Sequence, residues 1–263
     1  MRLAVVSDIH GNLPALLAVA AEIDAARAGR VLNLGDIASG PLWPRETLDW
    51  LAPRGWTTIR GNHERQLQGA RQHLSAADVF AFDALTDAHK AWLAALPTEA
   101  RLDGGDVQLV HGTPGSDLDY LLETVTADFG VGGSPGVRAA RDDEVRARLG
   151  GGCAASLLLC GHTHVPRVAL AGGTLVVNPG SVGLQAYDDG RPHPHIVETG
   201  SPHARWALVE RVVGGGWRVE QRLTAYDWHA AAARAQANGR GDWADALRSG
   251  RLGRTEAQAL SGR

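Results

Sequence analysis

The sequence predicts an α/β protein with a parallel sheet, and three observations carry that prediction. Short apolar runs alternate with helix-period segments in the order strand, helix, strand, helix, strand over the first 60 residues. Each run ends in Gly, Asp, Asn or His, and open α/β sheets bind their ligands at the carboxyl ends of strands. Of the 263 residues, 44% are hydrophobic and 21% charged, enough core for one large α/β domain. No repeat or low-complexity linker divides the chain, so residues 1–263 are read as a single domain.

In order, Leu3-Ala4-Val5-Val6 is a buried strand that runs into Ser7-Asp8-Ile9-His10-Gly11-Asn12. In extended backbone, residues two apart project the same way, so Asp8 and His10 point together. Leu13, Leu16, Leu17, Ala20 and Ile23 mark a helix over residues 13–28, with Asn12 as N-cap and Gly29 as stop. A strand at 31–34 ends in Gly35-Asp36, and a helix covers 44–51. The third strand, 57–59, ends in Arg60-Gly61-Asn62-His63-Glu64. Residues 76–96 read as one helical stretch, halted by Pro97. A turn at 103–106 leads to a strand at 107–110 that ends in His111-Gly112. Residues 112–150 are irregular, Gly- and Pro-rich as far as 136, with a charged helix near 141–149. They fit either a substrate-facing loop or a plain surface connection.

Ser156-Leu157-Leu158-Leu159-Cys160 is a further buried strand, ending in Gly161-His162-Thr163-His164. Two hairpins turn near 171–173 and 214–216, with Asn178-Pro179-Gly180-Ser181-Val182-Gly183 between them. Strands at 206–213 and 217–223 are expected to extend a second, more antiparallel sheet. Residues 227–263 form C-terminal helices, broken at Asn238-Gly239, and a polar tail.

Net charge is −3 and the pI is near 6.4, so there is no electrostatic footprint for nucleic acid or an anionic membrane. No apolar run approaches the roughly 18 residues that span a bilayer. Cys153 and Cys160 make no disulfide framework and read as inert buried thiols. The chain passes from Arg2 straight into a strand, with no leader pattern. These features lead us to expect a cytoplasmic protein without membrane partners, and they assign no oligomeric state.

Collected, the strand-end residues are Asp8, His10, Asp36, Asn62, His63, His111, His162 and His164. A single His of this kind is usually a satisfied surface or core group. Five strand ends that each offer a ligand type are hard to produce by chance. Two carboxylates among imidazoles suit two divalent ions with an Asp between them, which leaves net positive charge for a phosphate. Mixed nitrogen and oxygen donors favour Mn, Fe, Zn, Co or Ni over Mg or Ca. Mn is the favoured choice.

The blocks Asp8-x-His10, Gly35-Asp36, Gly61-Asn62-His63-Glu64, Val110-His111-Gly112 and Gly161-His162-Thr163-His164 resemble, in order, the five signature blocks of the calcineurin-like metallophosphoesterases. Asp8-Ile9-His10-Gly11-Asn12-Leu13 and the 178–183 segment are similar to the small bacterial phosphodiesterase branch. The resemblance implies a four-layer αββα sandwich of two mixed sheets flanked by helices. It implies one ion on Asp8, His10 and His164, a second on Asn62, His111 and His162, and Asp36 as bridge. It also implies a metal-bridging hydroxide as nucleophile and His63 as the group that protonates the leaving oxygen. The expected activity is phosphodiester hydrolysis of a small phosphate ester. The alternatives are a phosphomonoesterase or nucleotide phosphatase, and a catalytically silent metal-binding scaffold. A scaffold would be expected to lose His63 or several ligands, and none is missing.

The Ser/Thr protein phosphatases carry Asp-Arg-Gly after the second block, where the Arg grips phosphate. Here the stretch is Gly35-Asp36-Ile37-Ala38-Ser39-Gly40, without that Arg. This departure argues against a protein phosphatase and leaves the phosphate-holding group unassigned. Asn12 is a candidate substrate contact, beside its role as N-cap. The eight Trp residues are scattered and read as core. His193 and His195, set among prolines, read as a loop.

Overall fold

The structure, a computed structural model, describes residues 1–150 and 154–253. Cys153 and the tail beyond 253 lie outside the described residues. The first third holds β1 (Arg2–Val6), α1 (Leu13–Ala26), β2 (Arg30–Asn33), α2 (Pro44–Leu51), β3 (Thr57–Thr58), α3 (Asn62–Gln66), α4 (Ala76–Ala84) and α5 (Asp87–Ala95). Next come β4 (Glu99–Leu102), β5 (Val107–Val110), β6 (Glu123–Val125), β7 (Val137–Ala139), α6 (Asp142–Leu149), β8 (Leu157–Leu159), β9 (Arg167–Ala171) and β10 (Thr174–Asn178). The chain continues through β11 (Ala186–Asp189), β12 (His195–Glu198), β13 (Ala204–Arg211), β14 (Trp217–Thr224), α7 (Trp228–Ala237) and α8 (Gly241–Ser249).

Two five-stranded mixed sheets form, in the orders β14-β13-β1-β2-β3 and β4-β5-β8-β10-β9. Strand β1 shows why they stack. Its side chains alternate faces, and both faces are apolar. Leu3 and Val5 pack with Leu109, Leu157, Leu159 and Val177 of the other sheet. Ala4 and Val6 pack with Leu16, Val19 and Ile23 of α1. On the far side of the second sheet, Leu158 and Val176 meet Val145 and Leu149 of α6. Helix, sheet, sheet and helix layers follow, matching the expected αββα sandwich. The parallel pairs β1–β2, β2–β3 and β5–β8 aim their carboxyl ends at one edge.

Three expectations are corrected. Strands β13 and β14 belong to the first sheet, because β13 pairs antiparallel with β1 (Leu3 opposite Val209). Residues 76–96 form two helices, because Ser75 and Thr86 each supply an N-cap, accepting from Asp78 N and His89 N. His195 lies in a strand, β12, and is fully buried. The indole of Trp206 is core, as expected, and donates to Thr224 Oγ1 at 3.0 Å. Cys160 is also buried, and burial pushes its thiol up.

Candidate metal centre

Each block leaves its strand through a tight loop, and the loops are laced together by main-chain bonds. Asp8 N donates to Gly35 O, His10 N to Asp36 O and Gly11 N to Ile37 O, at 2.8–3.0 Å. The 178–183 segment binds the other side. Val182 N donates to Ser7 O, and Gly183 N and Ser181 Oγ donate to Asp8 O. Asn178 Nδ2 donates to Gly161 O and Thr163 Oγ1.

This lacing holds an unusual backbone. Asp8, His10, Asp36, His162 and His164 all have left-handed φ, between 51° and 68°. Among the described non-glycine residues only Arg27 and Asp103 share it. Such a conformation costs about 1–2 kcal/mol per residue. Four buried side chains in β1, at roughly 2 kcal/mol each for the larger ones, outweigh the two strained residues that follow. Asp8 and His10 therefore converge through left-handed turns, not through the extended pairing expected from their spacing.

Two groups of ligand atoms result. One atom each from Asp8, His10 and His164 lies within 4.8 Å of the others, and the same holds for Asp36, His111 and His162. His10 Nδ1–H donates to Ser39 O, His111 Nδ1–H to Leu34 O and His164 Nδ1–H to Leu184 O, each at 2.8 Å. Their Nε2 atoms are thereby turned inward. His162 is held the other way round, Nε2–H donating to Leu118 O at 3.0 Å, so its Nδ1 is the free nitrogen. Asn62 Oδ1 and Asp36 Oδ2 each lie 3.1 Å from His111 Nε2. Asp8 Oδ1 is buried and has no hydrogen-bond partner among the described residues. Hard oxygens and aimed imidazoles with orphaned lone pairs fit divalent transition ions.

Burial lowers His10 to about 4 and His162 to about 3, so both rings are neutral at neutral pH, as a metal ligand must be. Burial also raises Asp8 to about 7. At His111 burial pulls down, but the adjoining Asp36 carboxylate outweighs it and lifts the ring to about 10. Gly61 is required by contact, since a Cβ there would collide with Asp36 Oδ1 and His111.

His63 stands beside these groups and joins neither. Its N–H donates to Asp36 Oδ1 at 3.0 Å, and its Nδ1–H donates to Asp78 Oδ1 at 2.8 Å. Burial opposes its charge, but Asp36 and Asp78 offset that and raise it to about 9. Asp78 was not legible as a site residue, though Ser75-x-x-Asp78 is a helix-start pattern. Glu64 was missed too. Its carboxylate accepts from Asp36 N, Ile37 N and Gly61 N, all at 2.8 Å, and so clamps two ligand loops. The available signal was a Glu at the third position of a helix opened by Gly61, where its carboxylate can return to the Gly61 N–H. Asn12 takes its capping role and not a substrate-facing one. Its Oδ1 accepts from Ala15 N, its Nδ2 donates to Gly183 O and Tyr226 Oη, and it is fully buried.

A cleft of about 1410 Å³ opens over His10, Asp36, Asn62, His63, His162 and His164. Thr113, Ser116, Leu118 and Tyr120 form part of its wall, so the irregular segment does face the site.

Residues 1–200 match the calcineurin-like phosphoesterase superfamily domain. The chain belongs to this family. It is accordingly a metal-dependent phosphoesterase. An uncharacterized protein of Methanocaldococcus jannaschii is 24% identical to this phosphoesterase over 193 residues, 69% of this chain and 70% of that protein. A metallophosphoesterase from Sphaerobacter thermophilus shares the fold with a TM-score of 0.67, at 24% identity and 99% coverage of both chains. A hypothetical protein from Pyrococcus horikoshii gives a TM-score of 0.73 at 20% identity, covering 96% of this chain and 99% of its own. No described helix is long and apolar enough to cross a membrane.

Proposed function

We propose that this phosphoesterase is a dinuclear phosphodiesterase acting on small phosphate diesters. The observation that carries the reading is the paired ligand groups: Asp36 belongs to one, and its charge also acts on His10 and His164 of the other. Asp8, His10 and His164 would hold one ion, and Asn62, His111 and His162 the other. Asp36 would face both, with Mn the favoured metal. Bound there, divalent ions supply positive charge for a phosphoryl group and lower the pKa of water toward neutrality.

The chain's own groups do the rest. Carbonyls of Leu34, Ser39, Leu118 and Leu184 fix each ligand ring. His63, locked by Asp78, holds a proton on the cleft side for the leaving oxygen. The cleft exceeds the usual range of roughly 300–1,000 Å³ for ligand sites, which suits two ester groups on one phosphorus. The missing Arg after Asp36 also fits a diester, which carries less charge than a monoester.

The test is turnover of bis(p-nitrophenyl) phosphate and p-nitrophenyl phosphate, with Mn, Fe, Zn, Co and Ni in turn. Diester turnover that needs added metal is expected. Monoester turnover alone would refute the diesterase reading.

A further inference from the structure

We propose that the Arg65–Asp117 ion pair is a latch that sets how tightly the second ion is held, by fixing the loop whose Leu118 carbonyl orients His162. The inference rests on the dinuclear reading of the site and names two positioning residues for it. Arg65 Nε and Nη2 donate to Asp117 Oδ2 and Oδ1 at 2.6 and 2.9 Å, a bidentate pair. Their sequence neighbours Gln66, Ser116 and Leu118 line the cleft.

His162 differs from the other ligand rings in what holds it. The carbonyls that fix His10, His111 and His164 belong to Ser39, Leu34 and Leu184, all buried. The carbonyl that fixes His162 belongs to Leu118, which is 52% exposed. The His162 main-chain N–H is tied to Asp8 Oδ2 at 3.2 Å, but that bond leaves the ring free to turn. Leu118 lies in the segment 113–119, which bonds largely to itself. Thr113 N donates to Ser116 O and Ser116 N to Thr113 O, and Ser116 Oγ accepts from Leu118 N and Asp119 N. Among the described residues, its hydrogen bonds to the rest of the chain are the one from His162 and the two from Arg65. A loop with so few anchors opens easily, and each opening takes the Leu118 carbonyl away from His162.

The chain on either side of the pair explains why it acts on one ion. Arg65 sits in α3, which begins at Asn62. The segment 113–119 begins two residues after His111. Asn62, His111 and His162 are the ligands proposed for the second ion, and the pair ties their loops together. Charge alone predicts a different pattern. Both charges interact with Asp36. As isolated charges, Arg65 repels a cation and Asp117 attracts it. Neutralising Arg65 would then tighten metal binding, and neutralising Asp117 would weaken it. A latch fails whichever half is removed, so both changes weaken binding.

The experiment strips and reloads wild type, Arg65→Met, Asp117→Ala and the double variant. Co²⁺ is titrated by calorimetry and visible absorption, and hydrogen exchange is followed across 113–119. Each single variant should weaken one class of Co²⁺ site about 5-fold, the upper end for an exposed ion pair, and leave the other class unchanged. The double variant should be no weaker than either single one, because all three lose the same contact. Exchange across 113–119 should quicken in all three. Melting curves of the metal-free proteins check the fold, and should Arg65→Met fail to fold, Arg65→Gln takes its place. Tighter binding in the Arg65 variant, a double variant restored to wild type, unchanged affinities or unchanged exchange would each overturn the latch. A wild type that holds a single Co²⁺ ion would refute the dinuclear reading instead. The same variants, read by the affinity for that ion and by exchange, then still decide the latch.

Discussion

The Nε2 atoms of His10 and His164 lie 3.1 Å apart, and neither carries a proton, because each Nδ1–H is committed to a carbonyl. Two lone pairs at that distance repel unless a cation lies between them. Saturating Mn²⁺ should therefore stabilise the fold. At 100 times Kd the gain is about 2.7 kcal/mol, or roughly 5–10 °C for a chain of this size. Asp36→Asn should reduce bound metal to one ion or none per chain while keeping an oxygen for His63 N. Calorimetry and elemental analysis read both. An unshifted melting curve, or two ions still tightly held by the Asn variant, would reject the arrangement.

Ion binding should release protons. Asp8, raised to about 7, and His111, raised to about 10, both hold protons that a cation must displace. The sign follows directly: affinity rises with pH, more steeply below about 7, where both Asp8 and His111 give up a proton, than between 7 and 10, where only His111 does. Mn²⁺ titration at pH 6, 7 and 8 in weak buffer measures it. Affinity independent of pH would contradict the predicted ligands.

His63 should matter for chemistry and not for metal. His63→Ala should leave both ions bound and cost about 10²–10⁴ in rate for alkoxide leaving groups, with a smaller loss for nitrophenolate. Asp78→Asn, which keeps an oxygen for the ring but removes the charge, should lie between wild type and His63→Ala. A uniform loss across leaving groups would show that His63 is not the acid.

Glu64 should prove structural. Glu64→Ala orphans three buried N–H groups, each worth about 1–3 kcal/mol. We expect a loss of at least about 3 kcal/mol in urea unfolding, with weakened metal binding. A change under 1 kcal/mol would mean that water or a neighbour replaces the carboxylate.

Strand-end chemistry was legible because it is local. An apolar run, a turn and a ligand sit within ten residues of one another, as at Leu3 to His10. What escaped was long-range. The pairing of β13 with β1 joins residues some 200 positions apart, and nothing in either strand names its partner. Asp78 and Glu64 act on groups contributed by other loops. The break between α4 and α5 was written locally in Thr86 and His89, but helical periodicity on both sides masked it. The left-handed backbone at Asp8 and His10 was invisible, because neither is glycine.

Those left-handed residues have a consequence for how the family can change. At five ligand positions the main chain would relax if the side chain were glycine. Stability and metal retention thus pull in opposite directions at the same codons. A descendant freed from catalysis would relieve backbone strain at each position where glycine replaced the side chain.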